Sequence, residues 1–266
     1  MFVPLKISVD EINTLKFQNG DLLIPRMKEK TDSFYEGILS QVIKDDVIDG
    51  SNLSSLTFPF DRDCYDVFIS YSHNDEEQAL YLYTYLKKRG LKCFLDSIIW
   101  HSADGLLREI DRNFCHTTDG KYFDYEKRNF STSHVHAMLS MAMLEGIKIS
   151  ECCIFIESSN SVSLKDGIAY KTLSPWIYEE ISFAKNCQIS VPERYRRPGM
   201  RIVCEGGRIG LNESESRILK IAYDINLDDF QIITWQDISE KRGTDILDSI
   251  YARYGIIQKI KQNLLN

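Results

Sequence analysis

The sequence predicts an α/β fold built on a parallel sheet, and three observations carry that prediction. Residues 65–72 contain a short apolar run, Val67-Phe68-Ile69, rich in β-formers and suited to burial on both faces. A helix with clear start and stop signals follows, and then a second short strand, which is the order of a parallel strand–helix–strand unit. A third apolar run, Cys152-Cys153-Ile154-Phe155-Ile156, then leads through a loop into another well-capped helix.

Taken in order, residues 1–62 read as a small N-terminal extension and residues 63–266 as the main domain. Helical patterns stand near 8–17 and 27–44, the second with Phe34, Tyr35, Ile38 and Val42 as a modest stripe; Asn19-Gly20 and Asp49-Gly50 signal turns. The first strand of the domain ends at Ser70-Tyr71-Ser72-His73-Asn74. Asp75 is the expected cap of the next helix, with Glu76 and Glu77 favouring its positive end, and Gly90 stops it after Lys87-Lys88-Arg89. Its buried stripe is Leu80, Tyr83 and Leu86. The second strand, 91–95, ends at Asp96.

In parallel sheets ligands sit beyond the carboxyl ends of the strands, here at 70–74 and 96–104. Residues 97–104 form a loop with an apolar tip, Ile98-Ile99-Trp100, which either packs back or meets a partner or ligand. A helix is expected over 104–114, a polar insertion over 116–132, and a helix over 133–145 with Met138, Leu139, Ala142 and Met143 inward. After the third strand a long loop reaches Ser174. The fourth strand falls at 188–191 or at 200–204. Residues 205–210 are glycine-rich but lack the dinucleotide spacing and read as a turn. Helices are expected at 213–225, 244–251 and 256–265, and a fifth strand at 230–235.

The helix that opens at Ser174 is the best marked. Ser174 suits the cap, Pro175 suits the first helical position, and Ile177, Ile181 and Ala184 form one stripe. Trp176 and Glu180 are four apart and share a neighbouring face. A carboxylate beside an indole at the edge of a buried stripe is partly desolvated, a common preparation for chemistry.

Composition narrows the function classes. A net charge of −7 and a pI near 5.3 give no basic field for nucleic acid. The seven cysteines lack Cys-x-x-Cys or metal-ligand spacing, so free thiols in a reducing compartment and no metal site are expected. His134 and His136, two apart, point to different helix faces and do not form a metal pair. There is no signal-peptide pattern and no apolar run of membrane-spanning length, so the expected location is the cytoplasm. No internal repeat is present.

Tyr65-Asp66-Val67-Phe68-Ile69-Ser70-Tyr71-Ser72 resembles the first box of Toll/interleukin-1 receptor (TIR) domains, and Trp176-x-x-x-Glu180 after Ser174-Pro175 resembles their Trp-x-x-x-Glu motif. Residues 91–96 and 97–104 resemble the second strand and BB loop of that family, and the likeness spans roughly 64–254. It departs from the compact pattern in the 1–62 arm, the 116–132 insertion and the 158–173 loop. The resemblance implies a flavodoxin-like, five-stranded parallel sheet flanked by helices. It also implies cleavage of NAD+ at the nicotinamide–ribose bond, with NAD+ as substrate rather than cofactor, in a free-standing protein of the antiphage-defence kind.

In that reading Glu180 is the catalytic carboxylate, and Ser70, Tyr71, Asp96, Trp100 and Trp176 border the substrate. Glu179, three residues from Trp176, is the competing carboxylate. The family often self-associates through the BB loop and makes a nucleotide product that a downstream effector senses. The competing expectations are a non-catalytic interaction module working through Trp100, and a nucleoside deoxyribosyltransferase-like enzyme. A response-regulator receiver lacks the third-strand Asp it needs, because Ile154-Phe155-Ile156 runs into Glu157.

Overall fold

The computed structural model describes residues 2–24, 32–44, 47–60, 64–100, 102–165, 169–187, 191–195 and 222–258. In chain order its elements begin with β1 (Val3–Ser8), α1 (Val9–Asn19), α2 (Asp32–Val42), β2 (Ile43–Lys44), β3 (Val47–Ile48), α3 (Gly50–Thr57), β4 (Tyr65–Ser70) and α4 (Glu76–Lys88). They continue with β5 (Cys93–Phe94), α5 (Asp96–Ile99), α6 (Ala103–Phe114), α7 (Tyr125–Ile149), β6 (Ser150–Glu157), β7 (Ser163–Lys165) and β8 (Ala169–Thr172). The last are α8 (Pro175–Asn186), β9 (Tyr223–Ile225), β10 (Gln231–Ile232), α9 (Trp235–Ser239) and α10 (Asp245–Arg253). The chain divides into two compact units, residues 1–24, 65–93 and 147–266, and residues 25–64 and 94–146.

The first unit is built on a five-stranded parallel sheet in the order β5-β4-β6-β1-β10, flanked by helices. Its centre reads as buried chain should: Leu5, Ile7, Val67, Phe68, Ile69, Cys152, Ile154, Phe155 and Ile156 are all buried. The sequence reading placed β1 in an appended extension, and the structure corrects it. Val3–Ser8 pairs with β6 along its whole length and with β10 at Leu5 and Lys6, and α1 packs against α4 and α9. Pro4 and Lys6 disguised this strand. Proline lacks the donor a ladder needs, but β10 begins only opposite Leu5. The Lys6 carbonyl accepts from the Ile233 N–H at 2.9 Å, so by strand alternation Pro4 also faces β10, at a level where no ladder bond is made.

β1 lies beside β6 on the side away from β4; the fourth strand was expected at 188–191 or 200–204. Those segments, apart from Val191, lie outside the described residues, as do 205–210 and most of 213–225 and 256–265. Three further expectations change. The 158–173 stretch carries β7 and β8, which join β9 in an antiparallel sheet of order β7-β8-β9. The described end of the expected 213–225 helix is strand β9. Asp75 stands at the N-cap of α4, but its side chain makes no cap hydrogen bond; its carboxylate accepts from the Ser158 hydroxyl and, at 2.7 Å, from the Asn160 amide.

The second unit has its own core, formed by Tyr35, Ile38, Leu39, Val42, Leu53, Leu106, Ile110 and Val135. Gly105 is required there, because a Cβ at that position would come within 2.5 Å of the Tyr35 ring. α7 begins inside the expected 116–132 insertion and runs 25 residues. Among the described residues no helix is long and apolar enough to cross a membrane.

Candidate functional site

Ser70 is the last residue of β4, and α8 starts where the sequence says it should. The Ser174 hydroxyl accepts from the Ile177 N–H at 3.3 Å, Pro175 takes the first position, and Ile177, Ile181 and Ala184 are buried. This seating turns Glu180 inward, 8% exposed, while Glu179 is only half-buried. The Ser70 hydroxyl, on a residue 1% exposed, donates to Glu180 Oε2 at 2.5 Å. The two motif residues, 110 positions apart in the chain, therefore meet at the carboxyl end of the sheet.

The chain path gives that place added weight. From β4 it crosses to β5 on one side, and β6 lies on the other side of β4. The gap between β4 and β6 is thus the point where strand order reverses, and crevices for ligands open outside such points. Tyr71, next in the chain, is buried with its ring edge-on to His73, the centroids 6.2 Å apart. Trp176 is half-buried, one helical turn from Glu180. Cys153 lies on the neighbouring strand, paired with Phe68; burial first, and then the Glu180 carboxylate, push its thiol well above the usual range. It is therefore a protonated, inert core thiol near neutral pH.

Two further site residues predicted from sequence belong to the second unit. Asp96 begins α5, and its Oδ1 accepts from the Ser97 N–H at 2.6 Å. Trp100 is 3% exposed and meets three rings edge-on, Phe58, Phe60 and Phe94, at centroid distances of 5.5, 5.4 and 4.8 Å. Of the two outcomes left open for the 97–104 tip, Trp100 takes the one in which it packs back. Ile98 and Ile99 are half-buried, and His101 lies outside the described residues.

A cleft of about 740 Å³ in the second unit holds none of the predicted site residues. Its walls are mostly apolar, including Val47, Leu53, Ile110, Phe130, Val135 and Met138, with Glu126, Lys127, Ser131 and His134 among them. Neither Glu180 nor Ser70 lines it. Among the described residues no group of three or more His, Cys, Asp or Glu is arranged to hold a metal ion.

Sequence reasoning passed over two charged residues at the same sheet edge. Lys6 of β1 is 9% exposed, and its Nζ stands 3.1 Å from Oε2 of Glu157, the last residue of β6. The signal was present as a lysine inside an apolar strand, but it was hidden because residues 1–62 were read as peripheral. Compared with family models, curated proteins and solved structures, the chain matches none of them.

Proposed function

We propose that the chain is a TIR-type NAD+ glycohydrolase or cyclase acting in antiphage defence. The observation that carries this reading is the contact between Ser70 and Glu180, which joins the first-strand box to the Trp-x-x-x-Glu helix at the reversal point of a parallel sheet. The strand order supports a flavodoxin-like arrangement in which the N-terminal strand takes the fourth place.

The chemistry asks little of the protein beyond this. A glycoside hydrolase usually needs a second carboxyl group to protonate the leaving oxygen. NAD+ carries a pyridinium that departs as neutral nicotinamide, taking the electron pair of the C–N bond, so no acid is required. One carboxylate facing the ribose stabilises the oxocarbenium-like charge that develops. Water then adds at the same carbon and loses a proton to solvent, giving ADP-ribose; attack by a ring nitrogen of the adenine gives a cyclic isomer instead. Glu180 is the carboxylate in this scheme, and Ser70 is a positioning residue that holds it. Trp176 borders the ribose. Asp96 and Trp100 are accounted for by their own surroundings and have no part in the scheme.

The test is mass spectrometry of NAD+ incubated with wild type and with Glu180→Ala, at low and at high protein concentration. Nicotinamide release by wild type, reduced on the order of 100-fold or more in the variant, is expected for the loss of a main electrostatic stabiliser. Equal release by both proteins, or none by wild type at any concentration, rejects the reading.

A further inference from the structure

We infer that Lys6 is a substrate-holding residue that takes the diphosphate of the dinucleotide. This rests on the NAD+ reading above, but the residue lies outside the stretch that resembles the TIR family. Ser70 and Lys6 are both in register with Phe155, on opposite sides of β6. Residues in lateral register on parallel strands project from the same sheet face, so Lys6 stands on the face that carries Ser70 and its Glu180 partner. Two strand spacings separate Ser70 and Lys6, about 10 Å. That is the scale on which one dinucleotide presents a ribose and a diphosphate.

The chemistry of the pair favours a ligand role. An ammonium is costly to bury unless it is paired, and a central strand gains more from an aliphatic side chain at this position. Lys6 is held by Glu157 at 3.1 Å, with its Nζ 5.4 Å from the centroid of the Tyr170 ring. Glu157 is at the very end of its strand, and its side chain is 23% exposed, so water or an anion can replace it as the partner of Lys6. A site with Glu180 facing the ribose also needs positive charge to accept a substrate with two phosphate charges. Lys6 supplies that charge on the correct face. Arg194 is held near the opposite end of β6 by Glu151 and Asp248 at 2.6 and 2.5 Å.

Lys6→Met, Lys6→Arg and Glu157→Gln test this in the full chain, with folding checked by circular dichroism. The substrates are NAD+ and nicotinamide riboside, which has the same scissile bond but no diphosphate. Lys6→Met is expected to raise KM for NAD+ at least tenfold with kcat within threefold, to leave KM for nicotinamide riboside unchanged, and to be rescued by Lys6→Arg. Equal losses on both substrates, or no change on NAD+, overturn the inference. Calorimetric binding of ADP-ribose separates it from the wider reading: if wild type cleaves neither substrate, a tenfold weaker ADP-ribose affinity in Lys6→Met still supports the site, and equal or absent binding overturns it. Should Lys6→Met fail to fold, Glu157→Gln decides. Freed of its competitor, Lys6 then binds ADP-ribose more tightly by a few-fold, and unchanged or weaker binding refutes the role.

Discussion

The two units bury their conspicuous residues for different reasons. In the second unit Trp100 is surrounded by Phe58, Phe60 and Phe94, and buried Asp111 is matched by Arg128 at 2.8 Å and by the Ser131 hydroxyl at 2.8 Å. Each has a packing or pairing partner that accounts for its place. In the first unit Glu180 of α8 and Lys6 of β1 have partners too, Ser70 and Glu157, but they lie against a sheet face where aliphatic side chains would cost less, at the edge where a parallel sheet binds ligands. Burial that packing accounts for marks core, and burial that costs stability at such an edge is the ground for the site proposed above. A Trp near a strand end and a Glu on a helix look equally functional in sequence, and only their surroundings separate them.

The largest expected effect tests the packing side of this contrast. Trp100→Ala should destabilise the protein by about 3–5 kcal/mol, the usual range for removing a large buried aromatic. Trp100→Phe keeps a ring in place, so it should fold and retain nicotinamide release per folded molecule. A Trp100→Phe protein that melts like wild type but has lost activity would move Trp100 into the site and break the comparison.

Ser70→Ala probes the other side with a smaller effect. Removing the hydroxyl takes a donor from a buried carboxylate, typically worth about 1–3 kcal/mol. If Ser70 positions Glu180, kcat falls on the order of tenfold, about 1.4 kcal/mol, while KM for NAD+ stays within twofold. A fall in stability with kcat intact would leave Ser70 a structural partner only.

Which parts of this were legible in the sequence follows from how local each signal is. β4, α4, β6 and α8 were readable because caps, stripes and β-branched runs are short-range features; the α8 cap and its buried stripe fall where expected. That Glu180 rather than Glu179 turns inward was readable from helical spacing. The fate of Asp75 was not, since a helix cap and a loop anchor use the same side chain, and the Ser158 and Asn160 that claim it lie more than 80 positions away. β1 was missed because lateral pairing is long-range, and its Pro4 and Lys6 argue locally against a central strand. Lys6 and Glu157 were missed with it.

The smallest effect concerns the cost of placing charge on the sheet. Asp66 of β4 accepts the Lys92 N–H at 2.6 Å, yet burial, aided by the nearby Glu151 carboxylate, holds its carboxyl above the usual value; the Lys92 bond and the charges of Arg194 and Lys92 act the other way. A carboxyl raised in the folded state binds its proton more tightly there than in the unfolded chain. Stability is therefore greatest below the unfolded value of about 3.9 and falls as pH rises through the folded one. Asp66→Asn retains an oxygen for the Lys92 N–H and has no charge to bury, so it should melt higher than wild type at pH 7. The gain is a few degrees at most, given about 2–4 °C per kcal/mol in a chain of roughly this size, and it shrinks as the pH is lowered towards 4. A variant that melts lower than wild type at pH 7 would show that the ionised carboxylate, through Arg194, stabilises the sheet, and that charge on this face is not a cost borne for the site alone.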